Sequence, residues 1–359
     1  MPLALRHKNA YVMDDKVFVG TIDWDTKLSV KVIDRLNLRS EPQYLKQQDN
    51  NETGVIEILI AGSENLLAVL CLGVEKVCLW NLQDEAWLEN LPIQSVAPKE
   101  DVVLLNIAVS TNLLAVTVVG RGRPRVVQTL FWHLNTVQPC VSAPQFLGKV
   151  CMPEMYGYPE QVYINGKFCG IVLECGTQFL YAERSKLFSG ENSRVADLAK
   201  VADPVKPGGL WRQVKLCNFS LTDLFLDPGN SNHIAVIEDT GIDQGLYFLN
   251  LASGECITSI RIDDDGLDPF GWKGDNFFFL KKVEEDFQMV MFDPALFISK
   301  GEIEIVENGA ACLFPGLILQ SDEDFKIDNV NHYWKIRCVD FYGFVLVDDR
   351  GHLFSAAFD

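Results

Sequence analysis

Gly120-Arg121-Gly122-Arg123-Pro124-Arg125 sets three guanidinium groups at alternate positions of one short run. Arginine forks bind carboxylate and phosphate through paired N–H donors, so the run is a candidate anion site. Asp263-Asp264-Asp265-Gly266-Leu267-Asp268 gathers carboxylates around a glycine, as a calcium loop does. The later glutamate ligand of a full calcium loop is missing, since residue 274 is Gly274, and an acidic turn between strands accounts for the same residues. Asp322-Glu323-Asp324 reads as an acidic turn in the same way. His7, His133, His233, His332 and His352 form no HExxH or HxH pattern, so a zinc site has no sequence support. A GxSxG nucleophile elbow, a Walker-type phosphate loop and a GxGxxG turn after a strand are all missing. The expectation is therefore a non-catalytic chain with no cofactor.

Contact chemistry is the other candidate. Arginines and exposed aromatics are favoured anchors at protein interfaces. Arg121, Arg123 and Arg125, with Trp24, Trp211 and Trp272 near turns or strand ends, are the candidate partner-binding residues. Trp87 is placed similarly, whereas Trp80 and Trp132 sit inside strand patterns and read as core. The arginine run also resembles the AT-hook core, Arg-Gly-Arg-Pro, whose arginines enter a narrow minor groove. Such hooks act from extended tails, and this one lies between two apolar runs, so a charged hairpin turn is the competing reading.

Those residues need a scaffold, and repetition along the chain supplies it. Asn65-Leu66-Leu67-Ala68-Val69 returns as Asn112-Leu113-Leu114-Ala115-Val116, and again as Asn232-His233-Ile234-Ala235-Val236. Each copy opens an apolar run, then a glycine-bearing turn, then a second β-rich run. Weaker copies begin near Asp15, Phe168, Asp275 and Phe341, which makes seven units at a mean spacing of about 54 residues. Runs rich in Val, Ile, Leu and Phe between glycine turns read as strands and hairpins. A unit of this length holds about four strands, and radial stacking buries both faces of each sheet. In this pattern His233 takes the place of Leu66 and Leu113, and is expected to pack.

Val77-Cys78-Leu79-Trp80-Asn81-Leu82 resembles the third strand of a WD-repeat blade with its Trp-Asp dipeptide drifted to Trp-Asn. Tyr247 to Ile257, with Ser253-Gly254, resembles the same strand, its turn and the start of an outer strand. Trp24-Asp25 is the literal dipeptide, and Gly351-His352 falls at the wrong place for the Gly-His signature. The resemblance to the WD-repeat superfamily implies an all-β chain, a seven-bladed β-propeller with four-stranded antiparallel blades. Uneven spacing around units four, five and seven leaves six or eight blades open. The final unit stops after its third strand, so Leu3-Ala4-Leu5 is expected to pair with it, and the ring to be closed by an N-terminal strand. A single domain over residues 1–359 is expected, with a loop and short-helix insertion at about 183–209, its helix from Arg194 to Ala202. Residues 41–54 read as a polar loop between the first two blades.

Composition bounds the partners. Lysine and arginine number 31 against 49 aspartates and glutamates, a net charge of −18. Such a globule repels nucleic acid and anionic lipid over about 8 Å at physiological salt, and basic or mixed-charge protein segments suit it better. The N-terminal residues hold no long apolar run, and no run approaches the length of a spanning helix. None of the ten cysteines forms a CxxC pair, so reduced thiols in the cytoplasm or nucleus are expected. The functional expectation is a protein–protein interaction scaffold that docks a partner peptide or subunit on one propeller face. Alternatives are a substrate-recognition subunit of a ubiquitin ligase, a calcium-dependent propeller hydrolase, and a chromatin-associated protein acting through the arginine run.

Overall fold

A computed structural model describes residues 9–13, 15–22, 25, 27–35, 37, 41, 43–45, 53–88, 90–91, 93, 102–110, 112–120, 127–134, 144–152, 159–173, 178–187, 212–215, 220–226, 232–239, 244–261, 267–273, 276–283, 286–292, 319–321, 336–339, 343–347 and 353–357. Within them the strands form seven antiparallel sheets. Blade 1 holds Ala10–Met13, Lys16–Ile22, Leu28–Asp34 and Gln43–Tyr44. Blade 2 holds Glu57–Ser63, Leu66–Leu72, Lys76–Asn81 and Ala86–Trp87. Blade 3 holds Val102–Ser110, Leu113–Gly120, Val127–His133 and Gln145–Met152. Blade 4 holds Pro159–Ile164, Phe168–Leu173, Gln178–Glu183 and Arg212–Lys215. Blade 5 holds Ser220–Leu226, His233–Asp239, Gln244–Asn250 and Glu255–Arg261. Blade 6 shows three strands, Leu267–Lys273, Asn276–Val283 and Asp286–Phe292. Blade 7 holds Ile336–Val339, Gly343–Val347, Leu353–Ala357 and an outer strand, Leu319–Ser321.

Every repeat start read from the sequence falls at or beside the second strand of a blade. In blades 2, 3 and 5 that strand is covered on both faces, which is why its interior is apolar at successive rather than alternate positions. Leu66, Ala68 and Leu70 point into the core shared with blade 3. Leu67, Val69 and Cys71 point into the core shared with blade 1. Blade 3 repeats the alternation, with Leu114 and Val116 toward blade 2 and Leu113 and Ala115 toward blade 4. Blade 5 sends Ile234 and Val236 toward blade 4, and Ala235 and Ile237 toward blade 6. Each buried leucine or valine contributes about 1.5–3 kcal/mol relative to exposure. His233 packs as its repeat position implies, half-buried, its ring 6.0 Å from that of Trp272.

The repeated asparagines have one shared task. The carbonyls of Asn65, Asn112 and Asn232 accept from the N–H of Leu82, Leu134 and Leu251, tying the start of each second strand to the residue just after the third. The drifted Trp-Asn dipeptide also keeps its turn chemistry. Asn81 Oδ1 accepts from the N–H groups of Gln83 and Asp84, and Asn250 Oδ1 from those of Ala252 and Ser253. These are Asx turns, which asparagine makes as well as aspartate. Gly254 follows at φ +78°, a left-handed conformation that glycine adopts without strain.

The ring closes by packing between blades 7 and 1, where Val345 joins Ala10, Val17, Val19 and Ile33 in one buried cluster. This corrects the expected closing strand. The free edge of Leu353–Ala357 pairs with Leu319–Ser321, so it is not open to a strand from the N-terminus. Leu3 to Leu5 lie outside the described residues, as does the helix expected at Arg194 to Ala202. The insertion begins with one helical turn, Arg184–Leu187. No helix among the described residues is long and apolar enough to cross a membrane.

Candidate functional site

A meander of four strands puts its odd and even turns at opposite ends. Turns between strands one and two, and between three and four, lie at what is here called the near end. Turns between strands two and three lie at the far end, with the links between blades. First strands of most neighbouring blades lie side by side, and between blades 4 and 5 the Lys167–Asn232 and Arg212–Ala252 bonds join matching turns, so these blades share the polarity.

At the near end of blades 3 to 5, cationic side chains tie the blades together. Arg184, just past the third strand of blade 4, donates from Nη2 to Asn112 Oδ1 of blade 3 at 2.6 Å and from Nη1 to the Asn165 carbonyl at 2.8 Å. Asn165 Oδ1 in turn accepts from the N–H groups of Lys167 and Phe168, which shapes the turn into the second strand. Lys167 Nζ reaches blade 5 and donates to Asn232 Oδ1 at 2.5 Å. Arg212, opening the outer strand of blade 4, donates to the Ala252 carbonyl of blade 5 at 2.6 Å. Lys186 Nζ pairs with Glu183 Oε1 at 2.8 Å.

The electrostatics follow from this convergence. Lys186, by hydrogen bond and charge, holds the Glu183 carboxyl below its ordinary value, and Arg212 and Lys167 add to the effect. Burial pushes the Tyr181 hydroxyl up, opposed by its hydrogen bond to Arg212. Burial also lowers the Arg184 guanidinium, because desolvation disfavours the charged form. Cys169 lies beneath this corner, and burial raises its thiol to about 12. That thiol is packing, not a nucleophile.

Of the sequence-derived partner-binding candidates, Trp272 alone is among the described residues. Arg121, Arg123 and Arg125 belong to residues 121–126, which follow the second strand of blade 3 in sequence and lie outside the described residues. Trp24 likewise follows the second strand of blade 1 in sequence, and Trp211 immediately precedes Arg212; neither is among the described residues. Trp272 is corrected. It is 3% exposed, its Nε1 donates to the Phe225 carbonyl at 3.0 Å, and its ring meets those of Phe248 and Phe277 edge-on. A side chain so enclosed is core between blades 5 and 6, not a contact anchor. Trp80 and Trp132 are core as expected. No group of three metal-ligating side chains occurs among the described residues, and Asp263 to Asp265 lie outside them. The cations Lys167, Arg184, Lys186 and Arg212 were not anticipated. One sequence signal pointed to them, because Arg184 and Lys186 open the 183–209 insertion and Arg212 closely follows it.

No family model matches the sequence, and no curated protein does. Solved structures do. A chain of the mitotic checkpoint complex is similar over 99% of this chain and 91% of its own, at a TM-score of 0.55 and 10% identity. The β-propeller domain of Cps50 (Swd1) from Myceliophteria thermophila is similar over 96% and 93%, at 0.50 and 10%. The computationally designed Ika8 protein is similar over 97% and 95%, at 0.50 and 10%. At such identities the likeness concerns fold alone. Blade register, stacking and these likenesses together give the chain the fold of a WD40-type β-propeller.

Proposed function

We propose that this propeller is a non-catalytic scaffold that docks a partner protein on one end of its ring. The observation that carries the reading is the near end of blades 3 to 5. There, polar and cationic side chains are held by bonds that cross from blade to blade, so the surface is pre-ordered before any partner arrives. Pre-ordering lowers the entropy lost on association, which is what a docking platform requires. The fold is one in which protein partners are common, and one similar chain belongs to a named multiprotein complex.

Cross-linking mass spectrometry on the tagged full chain in native cells tests the reading. It should give a reproducible partner whose cross-links cluster on one end of the ring. A chain that elutes alone, gives no cross-links and turns over a small-molecule substrate would overturn it.

A further inference from the structure

We infer that the near end of blade 4, at its border with blade 5, takes an acidic segment of a partner protein. The inference rests on the docking function proposed above and adds where docking occurs and with what chemistry. Overall the chain carries −18, so a cationic surface has to be built locally. Among the described residues in the near-end turns of blades 4 and 5, Lys167, Arg184, Lys186 and Arg212 stand against Glu183 and Glu255. These cations come from three separate stretches of sequence, and strand register assembles them: Tyr181 pairs with Arg212, and Phe168 pairs with Glu183.

The assembly already binds a carboxylate. Glu183 Oε1 accepts from Lys186 Nζ at 2.8 Å, and the charges of Arg212 and Lys167 help to hold its carboxyl below the ordinary value. One internal carboxylate therefore marks the position that an external one would share. Lys167, Lys186 and Arg212 are exposed, so an incoming carboxylate can approach their charged ends. The scaffold beneath is rigid, because the Lys167 and Arg212 side chains are braced on blade 5. The same charge balance favours a short acidic peptide over nucleic acid. A long polyanion would leave the patch and run over an acidic surface, where repulsion acts within a Debye length of about 8 Å.

The test uses the full chain and a fluorescein-labelled deca-glutamate peptide, read by anisotropy at low salt. Binding is expected, weakening as salt rises. Lys167→Gln with Lys186→Gln should weaken it about tenfold, as exposed charge pairs allow. Glu183→Gln should tighten it about threefold, because it removes the competing carboxylate, a gain that misfolding does not mimic. No binding by the parent chain, or unchanged affinity in both variants, overturns the inference. Preference for a single-stranded DNA oligomer or for phosphatidylserine vesicles over the peptide also overturns it. If the double variant still recovers the same cross-linked partners in cells, this inference fails while the docking function stands. If no partner is recovered by either protein, the docking function fails as well.

Discussion

Arg184 is the residue through which the near end is most sharply tested. Its guanidinium spans blades 3 and 4 with two hydrogen bonds, to Asn112 Oδ1 and to the Asn165 carbonyl. Hydrogen bonds to charged groups contribute about 1.5–3 kcal/mol each, and partial solvent exposure places these at the lower end. Arg184→Ala also loses the packing of the aliphatic stem. The expected loss is about 3 kcal/mol. With an unfolding entropy of about 2.1 cal/mol/K per residue over 359 residues, cooperative unfolding converts this to a fall in Tm of about 4 °C. Desolvation of the guanidinium opposes the gain, as its lowered pKa indicates, so Arg184→Met is the discriminating variant. It keeps the stem and removes charge and bonds together. A double-mutant cycle of Arg184→Met with Asn112→Ala, followed by urea denaturation, should return a coupling of about 1–2 kcal/mol. A coupling near zero, or an Arg184→Met chain as stable as the parent, would refute the idea that this arginine binds the blades together.

Four further outcomes are expected. Gly170→Ala places a methyl group against the ring of Phe179, which is fully buried, and should destabilise the chain by about 1–3 kcal/mol in chemical denaturation. Trp272→Phe leaves the Phe225 carbonyl without its indole donor, at about 1–3 kcal/mol, yet should not alter deca-glutamate affinity, because the ring faces the core. At pH 8, peptide mapping after maleimide treatment should find Cys256 modified and Cys169 protected until the chain unfolds; early labelling of Cys169 would contradict its burial. The Glu183 carboxyl is held below its ordinary 4.5, so its contribution to stability is present above that pH and is lost as pH falls through the lowered value. Glu183→Gln should therefore flatten the acid limb of Tm against pH, and an unchanged limb would count against the pairing with Lys186.

Blades 2, 3 and 5 were legible because their second strands carry successive apolar residues and are announced by the same asparagine. Leu66 to Leu72 shows this in its own letters, and Leu113 to Gly120 shows it with Thr117 as its one polar residue. The first strand of each blade carried no comparable mark, which is why the repeat begins one strand late. Trp272 was misplaced for a local reason. It follows Gly271, at φ 152°, and a bulge between Pro269 and Gly271 shifts the register, so a strand residue is written in the letters of a turn. The cationic corner was invisible for a different reason. Lys167, Arg184 and Arg212 stand well apart in sequence and share a surface only through the pairings of blade 4, which no spacing rule reports. The closing strand was inferred by counting strands in the last unit. That count missed Leu319–Ser321, which precedes the blade's first strand and yet lies outside its third.

That outer strand also bears on how the ring is made. Among the described residues, every hydrogen-bonded strand of blade 7 is drawn from residues 319–357. The described edge of the blade is therefore completed by nearby chain, and its pairing does not wait for the N-terminus to return from across the molecule. Loop closure for this sheet is short-range, which favours early formation as a unit. Among the described residues, a long-range contact joins it to blade 1, where Val345 packs against Ala10, Val17 and Val19. Among those same described residues, the last blade is held by backbone pairing within itself and is joined to the first blade by apolar packing.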